Sequence, residues 1–135
     1  LSQDTVELVA QLKKCPSENT KAALVASLLE EGALRAVLSV HWYDTPVTKE
    51  MQALAKDNGP LQDSLLAIAM DKKAPNEMRK GAISSLAESL HVPKIRENLS
   101  EIALSYDNSD LGYFAWFLLS QVSQPTPALA NTLER

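Results

Sequence analysis

Three prolines at nearly even spacing, Pro16, Pro46 and Pro75, divide most of the chain into units of about 30 residues. Proline has no amide hydrogen to donate and its ring clashes with the preceding turn. It therefore opens helices and breaks their interiors. Prolines at this interval exclude long helices and demand an assembly of short ones. Pro60 falls between the markers, Pro93 follows the last of them, and Thr126-Pro127 adds one near the end. Alternating runs of β-branched residues are missing, and Ala and Leu carry the apolar content, so the short elements read as helices.

Caps and apolar spacing place nine of them. Asp4 caps a helix to Lys14, with Glu7 as its capping-box partner and Val6, Val9 and Ala10 on one face. Pro16 opens the second, which runs to Glu31 and stops at Gly32. Ala33 to Tyr43 is the third, and Thr45-Pro46 caps and starts the fourth, which ends near Asp57 before Asn58-Gly59. Leu61 to Lys72, Asn76 to Leu90 and Lys94 to Tyr106 follow behind Pro60, Pro75 and Pro93. Asn108-Ser109-Asp110 caps Leu111 to Val122, and a short helix runs from Pro127 toward Arg135. Links of about two to six residues make neighbours roughly antiparallel.

The markers also repeat as sequence. The twelve residues from Lys13 align with those from Lys72, and Lys, Lys, Pro, Glu, Lys and Ala coincide. Ala53-Leu54 aligns with Ala82-Ile83, and a further shift of 33 residues sets Ala115-Trp116 on Ala82-Ile83 and Leu119 on Leu86. A helix pair of this size cannot bury its apolar stripe alone and must stack on the next. The units are residues 4–31, 33–58, 61–90 and 94–122, with a half-unit at 127–135, all within one domain spanning residues 1–135. Such a half-unit is expected of a piece of a longer solenoid or of a self-associating one. A helical bundle without repeats, its prolines simply marking helix starts, is the plainer alternative.

The third unit resembles the turn of a HEAT repeat: Asp71 in the loop, Pro75 opening the second helix, then Arg79 and Ala82. The first unit keeps Pro16 and Ala23 but has Leu12 and Thr20 at the Asp and Arg positions. The second keeps Pro46 with Glu50, and the fourth has Asn108 in place of proline. The resemblance implies an all-α, right-handed α–α superhelix of about four HEAT-like helix pairs. Second helices line one face of such a scaffold, which usually binds other proteins.

Composition narrows the function. At 135 residues, 45% apolar and 22% charged, the chain suits one folded domain and is too apolar for disorder. Thirteen Lys and Arg stand against seventeen Asp and Glu, a net charge of −4, and the basic doublets Lys13-Lys14 and Lys72-Lys73 sit among acids. That argues against nucleic acid, whose binders present a basic stripe to the phosphates. No apolar run reaches the ~18–20 residues that span a membrane. The chain opens on Leu1 rather than Met, which points to sequence upstream: a cleaved signal, an earlier domain, or residues cut away by an artificial boundary. With one cysteine and no visible signal, a soluble, cytoplasmic protein is expected.

No residue set suggests catalysis, a metal or a cofactor. His41 and His91 lie fifty residues apart, without metal-site spacing, and His41 reads as a helix-end residue. Cys15 follows two lysines, but Ala74 holds the equivalent place, so it reads as a filler of a small loop site. Gly32 and Gly59 mark helix ends. Gly81 and Gly112 lie inside helices, where each costs about 1 kcal/mol relative to Ala and implies close helix approach.

Of seven aromatics, four are Tyr113, Phe114, Trp116 and Phe117. They span about 160° of helix surface, wider than a core stripe of somewhat over 100°. Trp116 aligns with the core position Ile83, whereas Tyr113, Phe114 and Phe117 align with Lys80, Gly81 and Ser84. The three are covered by the helix from Pro127 or a further repeat, or else they bind a partner. The expectation is a non-catalytic protein-interaction scaffold whose second-helix face carries Lys21, Val25, Lys80, Ser84, Tyr113, Phe114 and Phe117, with Trp42 and Tyr43 as a second aromatic cluster. Its partner is another protein or further repeats of the same chain. The alternative is an enzyme accessory or a helical domain holding a small molecule, which a deep pocket with converging polar groups would favour.

Overall fold

The computed structural model describes residues 3–14, 18–30, 32–41, 44–105 and 108–121. Among these the chain is all-helical, with no strand. Its helices are α1 (Gln3–Lys13), α2 (Glu18–Leu28), α3 (Ala33–His41), α4 (Thr45–Ala55), α5 (Gly59–Met70), α6 (Asn76–Ser85), α7 (Pro93–Leu104) and α8 (Ser109–Ser120). The half-unit from Pro127, together with Cys15, Pro16, Trp42 and Tyr43, lies outside the described residues.

Local chemistry sets most boundaries. Pro46, Pro60 and Pro93 sit in the first turns of α4, α5 and α7, and Pro75 takes the extended position just before α6. Asn58 and Asn108 cap α5 and α8, their side-chain oxygens accepting from the Leu61 and Leu111 amides at 2.9 and 3.1 Å. Gly32, at φ +82°, turns the chain between α2 and α3.

Several boundaries differ from the sequence reading: α2 stops at Leu28 instead of reaching Glu31, α5, α7 and α8 each end two residues early, and three further differences have a visible cause. Asp44 rather than Thr45 holds the cap position of α4, because its backbone is extended and Thr45 is already helical. Gly59 belongs to the first turn of α5, since Asn58 caps that helix instead of ending α4. The α-helix expected to reach Leu90 ends at Ser85 and continues as a 3₁₀ turn, Ala87–Ser89. Ser85 donates to the Gly81 carbonyl at 2.8 Å, a back-bond of the kind that bends helices. Beyond that bend Ser89 is fully buried and donates to the Ala55 carbonyl at the end of α4.

α5 packs on α6 and α7 on α8, while α5 lies beside α7 and α6 beside α8, giving two layers in the C-terminal half. The N-terminal half pairs differently. α3 packs mainly on α6 and α1, and α4 on α6, α1 and the 3₁₀ turn. One apolar core runs through all eight helices, with Leu12, Leu28, Met51, Leu65, Ile83, Leu99 and Leu119 fully buried.

Burial tests the repeat register residue by residue. Ala115 and Leu119 are buried like Ala82 and Leu86, their counterparts 33 residues earlier, but Trp116 is only partly buried where Ile83 is fully so. Leu24 and Leu54 are buried like Ile83, but Ala23 and Ala53 are exposed where Ala82 is buried. The equivalence is therefore partial throughout, and it holds best between α6 and α8.

Polar contacts tie the layers. Gln62 donates from Nε2 to the carbonyls of Ala55 and Lys56 at 2.8 and 3.0 Å, satisfying the end of α4 inside the core. Gln52 reaches the Ser84 carbonyl at 2.9 Å, joining α4 to α6. Arg35 on α3 pairs with Asp71, in the loop before α6, at 2.9 Å.

Gly112 sits where α8 meets the end of α7. A Cβ there would stand 3.1 Å from the Ile102 carbonyl oxygen and 3.5 Å from that of Ser105, so the interior glycine reflects close helix approach. Gly112→Ala is expected to destabilise the fold by about 1–3 kcal/mol, despite its gain in helix propensity, because the obstructing atoms are backbone. Urea denaturation measures this, and a more stable variant would show that the end of α7 yields.

Asp71 gives a pH-dependent prediction. The Lys73 amide and then the Arg35 guanidinium hold its carboxyl below the ordinary value of 3.8. A depressed carboxyl stabilises the fold above its unfolded pKa and loses that contribution as pH falls through the folded one. The difference in urea midpoint between the native chain and Asp71→Asn should therefore be present at about pH 6 and shrink as pH falls below 3.8. A difference constant with pH would mean that the charge contributes nothing.

Candidate functional site

The aromatic cluster lies on α8, the last described helix, which is held from one side by α6 and from another by α7. Asp110, in its first turn, accepts from Lys80 of α6 at 2.8 Å. Asn108, while capping α8, donates its amide to the Asn76 side chain at the start of α6 at 2.8 Å. These bonds fix the start of α8 against α6, and Gly112 lets it lie against the end of α7.

On that frame the four aromatics divide. Tyr113 and Phe117, one turn apart, are 67% and 51% exposed. Phe114 and Trp116 are partly buried and pack on the core. The Tyr113 ring tilts at 34° to that of Trp116, with centroids 6.0 Å apart, so an exposed ring rests on a half-buried one. Leu104, at the end of α7, is also exposed.

The other expected face residues do not gather around this pair. Val25 is 8% exposed and belongs to the core, which corrects its assignment to a binding face: its position on α2 points inward with Leu24 and Leu28. Lys80 is committed to Asp110 and is half-buried, so it holds α8 in place instead of standing open to a partner. Ser84 is half-buried, and its carbonyl accepts from Gln52. Lys21 is half-buried on α2. Tyr113 and Phe117 remain as the open part of the expected surface.

The residues that carried the HEAT resemblance lie in the turn between α5 and α6 and in α6 itself. Arg79, only 7% exposed, donates from Nε to the Ala69 carbonyl at 2.9 Å and so caps the end of α5. Burial pushes its pKa below the usual arginine value, and the charge of Asp71 pushes back. Ala82, three residues on in α6, is fully buried.

Beside Arg79 a half-open cavity of about 430 Å³ lies among the ends of α5 and α7 and the start of α8. Met70, Ile102 and Leu111 give it apolar wall, and Lys72, Arg79 and Glu101 give it charge. The sequence reading missed it. Arg79 was legible as a repeat-motif residue, but a cavity formed by three helix ends has no local pattern.

His41 ends α3, as expected, with Nδ1 3.6 Å from Asp44, which also pairs with Lys13 at 3.3 Å. Among the described residues no group of three His, Cys, Asp or Glu could hold a metal ion, and no helix is long and apolar enough to cross a membrane.

No protein-family model, no curated protein and no solved structure matches this chain.

Proposed function

We propose that this chain is a non-catalytic protein-interaction scaffold, a right-handed superhelix of HEAT-like pairs that binds a partner protein through the outer face of α8. The observation that carries the reading is the open pair Tyr113 and Phe117 on a helix fixed from two sides. Large aromatic side chains lose little rotamer freedom and bury much apolar area, so they dominate interface energetics where the surface is preformed. The superhelix is supported by the two-layer stacking of α5 to α8 and by the shared burial register of α6 and α8.

The partner is apolar where it meets Tyr113 and Phe117. A second copy of this chain is the other source of such a face, and sedimentation at several concentrations separates the two. A monomer that captures another protein fits the leading reading, whereas a dimer abolished by Phe117→Ala makes the face a self-association surface.

Phe117→Ala is expected to weaken capture of the partner by about thirtyfold, roughly 2 kcal/mol. Because half of the ring is already in water, folding stability should change by less than about 1 kcal/mol. Affinity and urea midpoint are measured on the same preparation. A stability loss of several kcal/mol would make Phe117 a core residue and overturn the assignment.

A further inference from the structure

The cavity beside Arg79 is separate from the aromatic face and asks for its own account. An arginine in the fold interior normally spends its fork on carboxylates, because an uncompensated buried charge is costly. Here Nε is committed to the Ala69 carbonyl, and among the described residues Nη1 and Nη2 have no hydrogen-bond acceptor. Asp71, the nearby carboxylate that acts on Arg79 electrostatically, is bonded to Arg35 and the Lys73 amide. The remaining guanidinium donors are not sealed from solvent: they open on the half-open cavity of small-molecule size that Arg79 lines.

The geometry points to a binding site for a small monocarboxylate with an apolar tail. A carboxylate matches the planar guanidinium fork with two parallel hydrogen bonds. Lys72, on the same wall, adds positive charge, while Met70, Ile102 and Leu111 accept the tail. Asn108 also lines the cavity, but its side chain is spent on the Leu111 amide and on Asn76, so it recognises nothing further. The start of α8 brings its positive pole to the same cavity, while Glu101 and the carbonyl ends of α5 and α7 bring negative charge. Those negative groups oppose multiply charged anions, which selects a single carboxylate over phosphate.

The test uses the whole chain, isotope-labelled, titrated with sodium hexanoate, hexanamide and inorganic phosphate, and followed by NMR at the Arg79 Nε–H and the Ile102 and Leu111 methyl groups. Hexanoate should shift all three saturably within about 20 mM, and hexanamide should bind at least tenfold more weakly. Phosphate should give no saturable shift. Glu101→Gln, at an exposed position, should tighten hexanoate binding by about threefold or more, whereas Arg79→Lys should weaken it at least tenfold. Since Arg79 also caps α5, the Glu101 variant keeps the test decisive if the Arg79 variant does not fold. Equal shifts with hexanoate and hexanamide, saturation by phosphate, no shift at Arg79, or unchanged affinity in Glu101→Gln would each overturn the site.

Discussion

The burial of α6 is the constraint around which the other helices arrange themselves. It contacts α3, α4, α5 and α8, and a helix can meet that many neighbours only if parts of its surface are small. Gly81, Ala82 and Ser85 supply the small positions and Ile83 and Leu86 the bulk, all buried. Its one buried cation, Arg79, is directed at the end of α5, so the same helix that fills the core also satisfies the backbone of its partner.

Helix ends are the second organising problem, because their last carbonyls have no acceptor-matched donor within the helix. Each solution found here joins two elements. Gln62 and Ser89 close the end of α4 from α5 and from the 3₁₀ turn, and Arg79 closes α5 from α6. Asn108 opens α8 while holding Asn76 of α6. The position of the aromatic pair thus depends on polar bonds made at the start of the same helix. The cavity is the remainder of this scheme, the place where three helix ends converge on a guanidinium whose donors are not all used.

Much of the helical framework was legible because its causes are local. Proline opens a helix whatever the surrounding fold, and Asn58 or Asn108 bonds an amide three residues on. The errors share a different origin. The 3₁₀ turn after Ser85 ends at a serine bonded to Ala55, 34 residues away. Val25 matched a polar-facing register by sequence alignment, yet α2 buries it because the first unit does not pack as the third does. The aromatic quartet read as one wide stripe, and contact with α6 and α7 divided it into two anchored rings and two open ones.

The sequence by itself determined where helices begin, which residues could face a core, and that two of its glycines lie inside helices. Propensity, capping and apolar spacing act over one to four residues, so the chain carries them without reference to its neighbours. Only the tertiary structure decided that α3 lies against α6, that Arg35 pairs with Asp71, and that Tyr113 and Phe117 stay in water. Those outcomes follow from how whole helices divide a limited apolar surface among themselves. Two residues 36 positions apart meet only after that division is made, and no local spacing announces it.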